Sequence, residues 1–186
     1  MKIRYGILFF MFFAGLGVPK AQRTDTIVWQ PERSLNWMDY KGIPDQESHY
    51  SALTHAEIRY KVSMQRSFAK FDFATFFLKK TSWTKHTQDP LLLKHEQIHF
   101  DIAELHKRLF IEILSIRTFF YRGLETEIKR LGDSINTARH LMDNEFDSDV
   151  ANMRDHIKVN RWSRQLTDAI DRLRSYNRNS ILIALQ

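Results

Sequence analysis

Apolar and polar positions change their rhythm near the middle of the chain. Before Pro90 they alternate: Ile58, Tyr60, Val62 and Met64 within Ala56 to Met64, Phe71 and Phe73 within Phe68 to Leu78, and a shorter apolar run at Ile27-Val28-Trp29. A period of two puts one set of side chains on one face of a strand, so these segments predict a small antiparallel sheet, with Lys41 to Asp45 as a turn. After Pro90 the period lengthens. Leu91, Ile98, Ile102, Leu105, Leu109, Ile113 and Ile116 recur at steps of three, four and seven, the spacing of one buried stripe on a long helix. Asp89-Pro90 marks its start, because the aspartate can cap free N–H groups and proline at the first helical position forfeits no hydrogen bond. A second helical pattern runs from Leu124 to Ile157 and a third from Trp162 to Leu173. All four prolines lie at or before position 90, and only Gly123 and Gly132 follow, so nothing breaks helix in the second half. The expected fold is α+β, a small N-terminal antiparallel sheet followed by a helical half of about three or four helices.

Composition narrows the chemistry. The 186 residues are 43% hydrophobic and 27% charged, which fits one ordinary globular domain. There is no cysteine, so disulfide scaffolds, thiolate metal sites and cysteine nucleophiles are excluded together, and any metal must be held by histidine, carboxylate or water. Lys2 and Arg4 precede an apolar run from Gly6 to Val18 that is too short to span a bilayer, which needs roughly 20 apolar residues. Basic start, apolar stretch and small residue predict a signal peptide over residues 1–21, cut after Ala21, and a single domain over 22–186. The expected destination is the periplasm or the outside of the cell, with no stable membrane span after cleavage. Cleavage removes Lys2, Arg4 and Lys20 but no acid, so the net charge falls from +6 to +3. With that reduced charge and no aromatic and basic RNA-binding motif, a nucleic-acid partner is not expected.

His95-Glu96-Gln97-Ile98-His99 lies about a turn and a half into the first long helix. It has the form HExxH. Residues four apart share a helix face at about 6 Å, which suits two imidazole ligands of one Zn²⁺, while Glu96 beside them can act as the base toward a water molecule. Both histidines also fall within the apolar stripe, where buried imidazoles need partners. A catalytic zinc needs a third protein ligand. His106 is about 10 Å further along the same helix and out of reach. Asp101 and Glu104 point away from the histidines and are expected to face solvent or to sit behind the ligands. Downstream, Glu145, Asp149, Asn152 and His156 form a polar row flanking Met142, Phe146, Val150, Met153 and Ile157. His156 is the expected third ligand, with Glu145 and Asp149 as alternatives; Asn144 to Asp149 reads N-E-x-x-S-D, similar to thermolysin-like enzymes.

The run Leu91 to Leu105, with HEQIHFDIAE at its centre, resembles the signature of a bacterial family known as domain of unknown function 922, described as secreted zinc-dependent proteases. Leu35 to Gly42 is similar to that family's N-terminal L-x-W-x-D-[FY]-x-G segment, and Ser82-Trp83 to its S-W before the helix. The resemblance implies a zincin-like domain with zinc at His95 and His99 and Glu96 as catalytic base. It also implies a downstream Y-D-x-x-T-x-H pattern followed by tryptophan. Phe146-Asp147 and Trp162 fit that register, whereas Val150 falls at its threonine and Asn152 at its histidine.

The sequence therefore predicts an exported zinc metallopeptidase acting on a peptide or protein substrate, which could lie as an added strand along Phe68 to Leu78. Two rivals remain at this level: a metal-binding but inactive structural domain of the envelope, and a helical interaction module that binds no metal.

Overall fold

In the computed structural model the described residues are 25–150 and 155–186. The signal-peptide reading of residues 1–21, like Asn152, lies outside them. Strands β1 (Thr26–Val28), β2 (Ala52–Leu53), β3 (Ala56–Met64), β4 (Phe68–Leu78) and β5 (Trp83–Thr84) come first. Helices α1 (Pro90–Ile116), α2 (Leu124–Asp149) and α3 (His156–Arg172) follow, and β6 (Ser180–Ala184) closes the chain. The fold is α+β, with antiparallel strands in the N-terminal half followed by three helices.

β4 is the spine of the main sheet. Ala69, Phe71, Phe73, Thr75 and Phe77 are buried on one face, as strand alternation requires. β3 pairs with it antiparallel from Ala56↔Phe77 to Met64↔Ala69. The opposite side is shared by β1, from Thr26↔Leu78 to Val28↔Phe76, and by β6, from Phe68↔Ala184 to Asp72↔Ser180. Both edges of β4 are thus occupied, which removes the peptide-docking edge expected there. β6 has no counterpart in the sequence reading, although Ile181 and Ile183 alternate with exposed Leu182. β2 and β5 form a separate pair, Ala52↔Thr84 and Leu53↔Trp83.

α1 begins as its cap predicts, with the Asp89 carboxylate accepting from the N–H groups of Leu91 and Leu92. At about 40 Å it is the central element, with the sheet on one side and the other two helices against it. Toward its C-terminal end, Phe110, Ile111 and Leu114 pack with Phe71 and Phe73 of the sheet and with Leu124, Ile128 and Leu131 of α2. Nearer its N-terminal end, Ile98, Ile102 and Leu105 pack with Phe146 and Val150 at the far end of α2 and with Val159, Leu166 and Ile170 of α3. α2 therefore runs back along α1, bringing its last turns beside the first turns of α1.

The helical pattern read as continuous from Leu124 to Ile157 is in fact divided. α2 ends at Asp149, and α3 starts at His156 with Asp155 as its cap, accepting from the Lys158 N–H at 3.1 Å. This break dissolves the single polar row from Glu145 to His156. Gly123, with φ of 82°, sits at the start of α2 in the left-handed region that favours glycine.

A candidate metal centre between two helices

His95 and His99 project from α1 toward the end of α2, where Phe146, fully buried, is wedged against both rings. Its centroid lies 4.5 Å from that of His95 and 5.2 Å from that of His99. Trp162 of α3 backs the wedge at 5.4 Å. The imidazoles are therefore held by packing before any polar contact is considered.

Their Nε2 atoms face each other at 3.2 Å. One residue beyond Phe146, Asp147 places Oδ1 at 3.2 Å from each of them. Three donors held about 2.1 Å from one tetrahedral ion stand about 3.4 Å apart, so the three edges are close to those of a common metal ligand sphere. His95, His99 and Asp147 form a group that could hold a metal ion. The Asp147 side chain is 43% exposed against 10% and 16% for the histidines, so the group opens to solvent on the aspartate side.

Behind His99 stands Asp143, whose Oδ1 lies 2.9 Å from Nδ1. Burial works against a charge on His99, but the hydrogen bonds and charges of Asp143 and Asp147 outweigh it and raise its pKa well above the ordinary histidine value. The hydrogen bonds and charges of His95 and His99 on Asp147, and of His99 and Arg139 on Asp143, overcome the burial of these carboxyls and hold both below the usual aspartate range. Two atoms stay unsatisfied: His95 Nδ1 and Glu96 Oε2 are buried without a hydrogen-bond partner among the described residues. Buried unpartnered polar atoms are costly and mark a place where a water or a reacting group belongs.

The three residue types proposed as third ligand lie elsewhere. His156 is exposed in the first turn of α3, on the far side of the helix break. Glu145 is exposed, because it sits on the outer side of α2 when Phe146 points inward. Asp149 accepts from Trp162 Nε1 at 2.9 Å and pairs with Lys158 and Arg161 at 3.1 and 2.6 Å, a bracket that ties α3 to the end of α2. The carboxylate that meets the histidines is Asp147. A signal for it exists: His95/His99 and Asp143/Asp147 are both pairs four residues apart, matched across two helices that run in opposite directions.

Asp101 and Glu104 also differ from expectation. Asp101 is half-buried and accepts from Trp29 Nε1 and Gln97 Nε2, both at 2.8 Å. Glu104 is fully buried, pairing with Arg108 at 2.8 Å and Lys107 at 3.0 Å and accepting from the Thr75 hydroxyl at 2.9 Å. His106 is buried with Nδ1 2.8 Å from the Ile102 carbonyl and takes no part in the metal group.

The segment that resembled an N-terminal family motif braces this helix. The Leu35 N–H donates to Gln97 Oε1, and Gly42 packs so closely on Ser82 that a Cβ would stand 2.8 Å from its carbonyl oxygen. Comparisons with family models, with curated proteins and with solved structures find no match to this chain. The reading of the site accordingly rests on its own geometry.

Proposed function

We propose that this chain is an exported zinc-dependent peptidase in which His95, His99 and Asp147 hold the metal and Glu96 is the general base. The observation that carries the reading is the triangle of donor atoms with 3.2 Å edges, together with Glu96, next in sequence to His95 and buried, whose Oε2 has no hydrogen-bond partner among the described residues. Zinc held by these residues would supply Lewis acidity toward a water molecule and a carbonyl. Glu96 takes the proton of that water and delivers it to the departing amine nitrogen, a role for which a free carboxylate oxygen is required. Asp147, on the exposed side, leaves the substrate's approach open. Two histidines and a carboxylate also suit iron(II) in oxygen chemistry, but a neighbouring unpartnered glutamate favours hydrolysis.

Substitution Glu96→Gln tests the role. The variant keeps its metal and loses about 10²- to 10⁴-fold in cleavage of a quenched fluorescent peptide library. Wild-type turnover in Glu96→Gln, or in a metal-free His95→Ala protein, would overturn the assignment.

A further inference from the structure

A metal-ligating imidazole must present a lone pair, so its other nitrogen must carry the proton, and something has to hold it in that tautomer. Among the described residues His99 has such a partner and His95 does not. Asp143 Oδ1 stands 2.9 Å from its Nδ1, and a carboxylate can only accept, which assigns N–H to Nδ1 when the ring is neutral and leaves Nε2 free toward His95 and Asp147. The other oxygen of Asp143 is also engaged, accepting from Arg139 Nε at 3.3 Å. Arg139 Nη1 in turn donates to the Ala56 carbonyl at 3.0 Å, the first residue of β3. Asp143 and Arg139 are about equally sheltered, their side chains 16% and 15% exposed. A continuous strut therefore runs from the sheet through Arg139 and Asp143 to the ring of His99. His95 has no equivalent, since its Nδ1 is without a partner among the described residues.

We infer that Asp143 is the positioning carboxylate of the metal site, fixing the tautomer and aim of His99, and that Arg139 anchors it to the sheet. The inference rests on the metal reading of His95, His99 and Asp147. The ligand pair is then asymmetric, one imidazole preset by the fold and the other set only when metal arrives.

The test is zinc affinity, by competition with a chromophoric chelator, together with the visible absorption of the cobalt(II)-loaded protein. Wild type is compared with Asp143→Asn, which keeps shape and loses charge, with Asp143→Ala, and with Asp133→Asn. Asp133 is on the same helix but exposed and paired, among the described residues, with Lys129 alone, so it controls for charge. We expect a 10- to 100-fold loss of zinc affinity and an altered cobalt spectrum in both Asp143 variants, with Asp133→Asn unchanged. The inference is overturned if Asp143→Asn, folded by circular dichroism, binds zinc as wild type does with the same cobalt spectrum. It is equally overturned if Asp133→Asn loses as much. A wild-type protein that takes up neither metal removes the metal reading itself, and this inference with it.

Discussion

Two buried charged clusters lie on α1, and they are built on opposite plans. Around Glu104 every valence is closed: one carboxylate oxygen faces Arg108 and Lys107 and the other takes the Thr75 hydroxyl. Arg108 also donates to the Ile170 carbonyl at 2.8 Å and lies over the Trp29 ring at 5.3 Å. Around His95 and His99 the plan is open. Two imidazole nitrogens point at each other, one aspartate is half in solvent, and His95 Nδ1 and Glu96 Oε2 lack hydrogen-bond partners among the described residues. A cluster that satisfies itself ties helix to sheet and to α3. One whose donors converge on a point could hold a metal ion, and that difference separates a structural polar network from a candidate site.

The contrast is broken most forcefully by removing one member from each cluster. Glu104→Ala strands two buried cations and should lower the stability of the metal-free protein by about 3–5 kcal/mol in urea unfolding. Asp147→Ala, removing a carboxylate that is 43% exposed, should cost no more than about 1 kcal/mol in the same experiment. Equal losses would erase the distinction between the two clusters.

A smaller effect follows from pH. The folded pKa of His99 is raised, so its contribution to metal-free stability is fully present below about 6.5 and is lost as pH climbs through the raised value. Those of Asp143 and Asp147 are depressed, so their contribution is present above about 3.9 and is lost as pH falls through the depressed values. The windows overlap in mildly acidic solution, where thermal melts of chelator-treated protein should show greatest stability. Metal uptake has the opposite trend, because His99 must release its proton. Below the raised pKa, zinc affinity should fall about tenfold, or about 1.4 kcal/mol, for each pH unit. An affinity independent of pH from 5 to 7 would show that His99 does not bind the metal.

How much of this was legible in the sequence depended on how local the cause was. The start of α1 is written in Asp89-Pro90, the β3 and β4 strands in strict alternation, and the shared face of His95 and His99 in their spacing of four. Asp147 was hidden because its role comes from α2 folding back along α1, a tertiary contact that no single-helix pattern contains. The polar row through His156 looked continuous only because the end of α2 at Asp149 carries no proline or glycine to announce it. Glu104 reads as facing solvent or sitting behind the ligands because a one-stripe helix has a solvent face; α1 is instead covered from Ile102 through Arg108. β6 escaped notice because five residues after a helix give little periodicity to read.

The most direct test of the central claim is metal content per chain after zinc loading and desalting, in wild type, Asp147→Ala and His156→Ala, without a metal-binding tag. The account predicts about one zinc per chain in wild type and in His156→Ala, and little in Asp147→Ala. Zinc retained by Asp147→Ala but lost from His156→Ala would contradict it, as would a wild-type protein that holds none.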